Sequence, residues 1–207
     1  MNLFDGNSIL LSFGSLAVFG CALIIFLETA TIFGSFLPGD SLLFLLGLAL
    51  ATWLNNFPVL IAILILFLAA VAGSQTGYWF GQKVGPRLFR RRETFFFNHR
   101  TVEQTNKFFA RYGARAIILS RFVPVLRALI PMFVAIANFD KKRFLKLNIL
   151  GGAAWTIGLI GAGFLLGQIE FVAKHVELFV IGFVVLSSLP LPFELLRERL
   201  KSRRSRA

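Results

Sequence analysis

Two arginines inside one apolar stretch are the residues of this chain most able to do chemistry. Residues Ala116–Phe139 are apolar enough to enter a lipid bilayer, yet the stretch contains Arg121 and Arg127. An arginine near the bilayer centre costs about 2.5–3.5 kcal/mol on insertion scales, so it is tolerated where it has a function. Because a guanidinium group binds phosphate in a bidentate manner, the pair predicts binding of a substrate phosphate at membrane depth.

Two prolines interrupt the same stretch. Pro124 and Pro131 each remove a backbone N–H donor and clash with the preceding turn of a helix. Free backbone groups at membrane depth are tolerated only where protein buries them or a wet cavity surrounds them. We therefore predict that residues 116–139 form a broken, re-entrant helical hairpin. On an unbroken helix the two arginines would point about 120° apart, and the break lets them converge.

Two acids occupy a comparable position in the first half of the chain. Apart from Asp5, Glu28 and Asp40 are the only acids in the first 90 residues. One continuous helix would hold them about 18 Å apart, but the break at Pro38 and Gly39 lets the chain fold back. A carboxylate at membrane depth can gain and lose a proton. The pattern predicts that these acids couple the site to protons.

The same residues have structural interpretations. The acids and the arginines could pair only to neutralise one another and stabilise the fold, and a substrate could still compete for the arginines. Asp40 follows Gly39 and could be merely a helix N-cap. The sequence alone leaves these interpretations open.

Composition defines the class of protein. Of 207 residues, 57% are hydrophobic and 15% are charged, and the mean hydropathy is +0.75. These values predict a polytopic, all-α membrane protein without a sizeable soluble domain. The net charge is +12, but residues 1–82 contain no Lys or Arg, and the basic residues concentrate in 83–115, 141–146 and 197–206. This distribution indicates cytoplasmic loops beside anionic lipids, not nucleic-acid binding.

The apolar runs predict about four transmembrane helices, at Ser8–Leu27, Phe57–Phe80, Leu147–Leu166 and Leu178–Pro192. The basic loops 83–115 and 141–146 should both be cytoplasmic, so the segment between them enters and leaves on one side. If 28–53 is also re-entrant, each half pairs a broken segment with a full span. That arrangement indicates an inverted repeat, with a binding site where the broken helices meet.

The predicted organisation is one membrane domain, residues 1–195, followed by a basic cytoplasmic tail, 196–207. The domain contains the re-entrant segments at about 28–53 and 116–139. Between them, 83–115 includes a cytoplasmic amphipathic segment.

No catalytic residue is predicted. Ser120-Arg121 matches the start of a membrane phosphatase motif, but Arg127 and Pro131 stand where that motif needs His and Asp. Without a nucleophilic histidine the phosphatase chemistry fails. His99 and His175 have no ligand partners in the sequence, so we expect no metal, no cofactor and no enzymatic activity.

Four separated motifs occur in order along the chain. They are Glu28…Phe36-Leu37-Pro38-Gly39-Asp40, Gly73…Gly77-Tyr78-Trp79…Gly81…Gly85, Ser120-Arg121-Phe122-Val123-Pro124…Arg127…Pro131, and Asn148…Gly151…Trp155. Together they resemble the DedA family of bacterial membrane proteins, which contain a SNARE-associated (VTT) domain. The resemblance covers roughly residues 10–195.

The resemblance implies two opposed re-entrant hairpins with flanking helices. It also implies that Glu28, Asp40, Arg121 and Arg127 are functional residues. The implied activity is lipid translocation, with undecaprenyl phosphate recycling as the leading role and with proton coupling. Two departures leave the substrate open: Ser74 stands where many members have Asp, and Val134-Ala135 replaces a common Ala-Gly.

The sequence therefore predicts a transporter or flippase in the bacterial cytoplasmic (inner) membrane, with its C-terminus cytoplasmic. Its expected partners are an anionic lipid substrate, the surrounding membrane lipids and protons, with no nucleic acid; a homo-oligomer stays open. One alternative is a proton-linked antiporter, in which the acids bind a small cation or drug and the arginines are counter-charges. Another is a non-transporting factor in envelope assembly.

Overall fold

The computed structural model describes residues 6–31, 34, 37–88, 107 and 109–174. All regular secondary structure in this part is helical, which confirms the predicted all-α class for it. The longer helices are α1 (Gly6–Ala30), α2 (Gly39–Ala51), α3 (Val59–Leu88), α4 (Pro124–Ile136) and α5 (Lys141–Gly167). Short helical segments precede α4, at Gly113–Arg115, Ala116–Leu119 and Ser120–Phe122, and Glu170–Lys174 follows α5.

Two of the described helices have the length and apolar character to cross a membrane, Val59–Lys83 and Lys141–Gly167. Large apolar side chains are exposed along them, for example Leu60 (76%) on α3 and Leu165 (65%) on α5. Exposed apolar surface of this kind suits contact with lipid. The predicted fourth span (Leu178–Pro192), the tail (196–207) and most of the amphipathic segment (83–115) lie outside the described residues.

The predicted breaks at Pro38 and Pro124 are each followed by a short helix, whereas Pro131 lies inside α4 and does not interrupt it, so the prediction of a break there is wrong. Helices α2 and α4 both contain 13 residues, so each is about 20 Å long and too short for a hydrocarbon core of about 30 Å. Helix α2 starts immediately after Pro38, and Pro124 is the first residue of α4. Proline is accepted there because the first turn of a helix needs no N–H donor. These lengths suit re-entrant segments, whose membrane topology stays a prediction.

Helix boundaries differ from the sequence-based prediction, and α3 continues past Phe80 to Leu88, into the predicted loop 83–115. Helix α1 continues to Ala30, so Glu28 lies in its last turn and the first break begins later than residue 28. The basic residues of 141–146 form the first turns of α5 instead of a loop. The reason is a local cap, because the Asp140 carboxylate accepts a hydrogen bond of 2.7 Å from the backbone N–H of Arg143.

Helix α2 packs on α5, and α1 packs on α3. Glycines permit both contacts: a Cβ at Gly47 would lie 2.1 Å from the carbonyl oxygen of Ile160, and one at Gly163 would lie 2.0 Å from that of Phe44. On α3, a Cβ at Gly73 would lie 2.0 Å from the Thr29 hydroxyl of α1. Small residues allow this close approach of membrane helices, which fixes where their polar side chains meet.

We expect residues 110 and 137 to face the same side of the membrane. Ala110 and Ala137 flank the broken segment and are both exposed, so single cysteines there, in a Cys21→Ser background, should react with a membrane-impermeant maleimide from the cytoplasmic side. Gly113 and Asn138 also flank the segment, but their φ angles are positive, so cysteine would strain the backbone there. Labelling of the two cysteines from opposite sides would rule out the re-entrant topology.

Candidate functional site

A buried arginine connects three helices. Arg127, on α4, donates from Nη2 to Glu28 Oε1 at the end of α1 and from Nη1 to Asp40 Oδ1 on α2, the latter over 2.9 Å. The Arg127 and Glu28 side chains are fully enclosed, whereas the Asp40 side chain is 41% exposed. The break after α1 brings the two acids close together, as the sequence predicted, and places both on one guanidinium group, which the sequence did not specify.

Trp155 of α5 completes this cluster. Its indole N–H donates to Asp40 Oδ1 over 2.7 Å, and the Arg127 guanidinium lies 4.7 Å from the centre of its ring. The second contact has cation–π geometry. The N-cap interpretation of Asp40 is wrong, because Asp40 lies inside the first turn of α2 and the N-cap position is Pro38, without a side-chain cap.

Gly39 makes room for the Glu28 carboxylate. A Cβ at residue 39 would lie 1.6 Å from Glu28 Oε2, so any other residue would displace the acid from its present position. That oxygen has no hydrogen-bond partner in the described part of the chain. Glu28 therefore has one oxygen on Arg127 and the other beside Gly39.

Arg121 has different partners. It precedes α4, is buried, and donates from Nη2 to Asn148 Oδ1 of α5 and, over 3.3 Å, to the carbonyl oxygen of Ala70 on α3. Asn148 in turn donates to the carbonyl oxygen of Val71 over 3.0 Å. Gly151 leaves space for the arginine, since a Cβ there would lie 3.2 Å from Arg121 Cγ.

The two arginines thus differ in whether an acid neutralises their charge. Arg127 pairs with both acids, whereas Arg121 has no acidic partner within ion-pair distance among the described residues. The alternative interpretation, that acids and arginines neutralise one another, fits Arg127 and does not extend to Arg121. Arg121 Nη1 is buried and has no hydrogen-bond partner in the same part of the chain.

Sequence reasoning assigned no role to Asn148 or Trp155. In the sequence these two residues belong, with Gly151, to the fourth motif of the family resemblance. Their spacing offered a signal, because residues 148, 151 and 155 follow the i, i+3, i+7 pattern of one helix face. That face of α5 contacts both arginines. Among the described residues, no group of three or more His, Cys, Asp or Glu side chains could bind a metal ion.

The fold and the cluster define a helical membrane protein with a charged site between broken helices. Comparison with known proteins assigns its family. The VTT domain model matches residues 37–165. An uncharacterised membrane protein of Mycobacterium tuberculosis is 39% identical over 180 residues, which cover 86% of this chain and 78% of the relative.

Two Escherichia coli proteins are also similar. Protein DedA is 31% identical over 177 residues, covering 86% of this chain and 81% of that protein. Inner membrane protein YqjA is 29% identical over 164 residues, covering 73% and 68% respectively. The chain therefore belongs to the DedA family of VTT-domain membrane proteins. No solved structure matches it significantly.

Removing the charge of Arg127 alone should destabilise the protein more than removing the charges of Arg127 and Glu28 together. Arg127→Gln leaves Glu28 buried without a partner, and we expect a loss of about 3–5 kcal/mol. Glu28→Gln combined with Arg127→Gln should recover part of that loss. Thermal unfolding in detergent measures both, with the exposed Lys142→Gln as control. If the double variant is no more stable than Arg127→Gln, the pair does not have this role.

Proposed function

We propose that this protein transports an anionic lipid phosphate, undecaprenyl phosphate or a similar lipid, across the cytoplasmic membrane, and that protons drive the movement. The observation that supports this proposal best is Arg121, a buried guanidinium group whose Nη1 has no hydrogen-bond partner and which has no acid within ion-pair distance among the described residues. Burying an unpaired charge is costly. A phosphate supplies both the missing charge and the missing acceptor.

In this proposal Arg127 is the second phosphate ligand, and the acids control its availability. While Glu28 and Asp40 are ionised, they occupy both terminal nitrogens of Arg127. Protonation removes the charge from a carboxylate and weakens its bond to the guanidinium group, so that a phosphate can compete. The Asp40 side chain is 41% exposed and that of Glu28 is enclosed, so Asp40 is the acid of the pair that solvent can reach.

A proton-linked antiporter is the second candidate. It is favoured by the pairing of Arg127 with both acids, because a cation entering the site would replace an internal counter-charge. It gives no role to the unpartnered nitrogen of Arg121, which a cationic substrate would avoid. The anion transporter accounts for both arginines, so we prefer it.

Proton coupling is tested by lipid flipping in liposomes that contain a polyprenyl phosphate. We expect the wild-type protein to flip it faster under a pH gradient. Glu28→Gln and Asp40→Asn should lose this acceleration without loss of protein from the membrane, because an amide cannot change its charge. Asp140→Asn is the matched control, since Asn caps a helix as well as Asp does. Gradient-dependent flipping by both site variants would refute proton coupling through these acids.

The phosphate assignment is tested by replacing Arg121 with lysine. Lysine keeps the charge but cannot reproduce the planar bidentate contact. Loss of one charged hydrogen bond is worth about 1.5–3 kcal/mol, so Arg121→Lys should bind a short-chain polyprenyl phosphate roughly tenfold to a hundredfold more weakly. The exposed Arg115→Lys should bind it normally. Equal affinity of Arg121→Lys and wild type, measured by calorimetry on purified protein, would favour the antiporter.

A further inference from the structure

An apolar groove lies between α3 and α5. It has a volume of about 340 Å³ and is lined by Leu60, Ile63, Leu64, Phe67, Ala153 and Ile157. Ligand pockets in proteins range from about 300 to 1,000 Å³, so this groove has room for a section of one hydrocarbon chain and not for a whole lipid.

The inner end of the groove is next to the Arg121 site. On α3, Phe67 is one helical turn before Val71, whose carbonyl oxygen accepts the Asn148 hydrogen bond; that rise is roughly 6 Å. On the opposite wall, a Cβ at Gly152 would contact both Val71, at 3.0 Å, and Phe67, at 3.7 Å. A chain in the groove would therefore end beside the residues that bind Arg121.

Two buried polar groups near that end have no hydrogen-bond partner among the residues that the structure describes. One is Arg121 Nη1, and the other is the hydroxyl of Ser74, which is only 1% exposed. Ser74 lies one turn after Ala70 on the same face of α3, and the Ala70 carbonyl oxygen accepts a hydrogen bond from Arg121.

The Ser74 hydroxyl differs from its threonine neighbours. Thr29 and Thr76 each donate to the carbonyl oxygen four residues earlier, over 2.8 Å and 2.9 Å, whereas Ser74 makes no such bond. The Ser74 hydroxyl donor is therefore unused within the described part of the chain. A buried N–H and a buried O–H near the same end of the groove suit the oxygens of one anion.

We propose that this groove binds the hydrocarbon chain of the transported lipid, with the lipid phosphate on Arg121 Nη1 and the Ser74 hydroxyl. The inference rests on the proposed function and specifies it. An apolar chain that ends in an anion satisfies the groove and both unpartnered donors at once. A neutral bilayer lipid would fill the groove and leave both donors without acceptors.

Neighbouring alanines on α5 provide a matched pair of variants. Ala153 lines the groove, whereas Ala154 is exposed and does not. Ala153→Phe should fill the groove and weaken binding of farnesyl phosphate to the protein in nanodiscs by about tenfold, the equivalent of roughly two unburied methylenes. Ala154→Phe should bind it as the wild type does. Ser74→Ala should bind it about threefold to tenfold more weakly, because it lacks one hydroxyl donor.

A second measurement uses the unmodified protein. A photoreactive diazirine analogue of farnesyl phosphate should label residues of α3 and α5 that line the groove. Excess farnesyl phosphate should displace it, and excess farnesol, which has the same chain without the phosphate, should not. Equal binding by Ala153→Phe and Ala154→Phe, or equal displacement by farnesol, would show that the groove contains ordinary bilayer lipid only and would overturn the proposal.

The two proposals can fail separately. If the wild type flips polyprenyl phosphate and Ala153→Phe flips and binds it equally well, transport stands and the groove assignment is wrong. If the wild type is labelled in the groove but moves no lipid in liposomes, the groove binds an anionic lipid and the transport proposal is wrong.

Discussion

The ion pairs of Arg127 are the interaction on which the described structure depends. A buried guanidinium group carries a desolvation cost of several kcal/mol, which only well-placed partners offset. Arg127 finds them on two other helices, at the end of α1 and the start of α2. The chain must therefore turn sharply between Glu28 and Asp40, and it must have no side chain at Gly39, where one would collide with the carboxylate. The break in the chain, the glycine at position 39 and the two acids all follow from the need to give the buried Arg127 acidic partners.

The two arginines divide the site into unlike halves. Arg127 has acidic partners and a tryptophan ring, whereas Arg121 has an amide and a backbone carbonyl. Neutral dipoles satisfy hydrogen-bond donors but supply no opposite charge. One face of α5 contacts both arginines, through Trp155 and Asn148. Any change in the position of that helix would alter both halves together.

Much of this architecture could be predicted because its causes are local. A proline restricts its own turn, so the breaks at Pro38 and Pro124 were predictable, and apolar length identified the long helices. The pairing of charges was not predictable. Asp40 could cap its own helix or reach Arg127, 87 residues away, and only the packing of α2 decides between them. The contact of Asn148 with Arg121 and that of Trp155 with Asp40 likewise connect distant residues, and no pattern in the sequence specifies such partners.

The glycines between α2 and α5 have a mechanical consequence. At Gly47 and Gly163 the backbones of the two helices approach so closely that even a methyl group would overlap a carbonyl oxygen. Helices in such contact cannot slide along one another without first separating. Helices α2 and α5 should therefore move together as one rigid unit that carries Asp40 and Trp155. A conformational change that opens the site would then have to occur at the interface between this rigid unit and the other helices. Arg127 of α4 reaches across that interface to Asp40 and Trp155, and these contacts would have to break before the site could open.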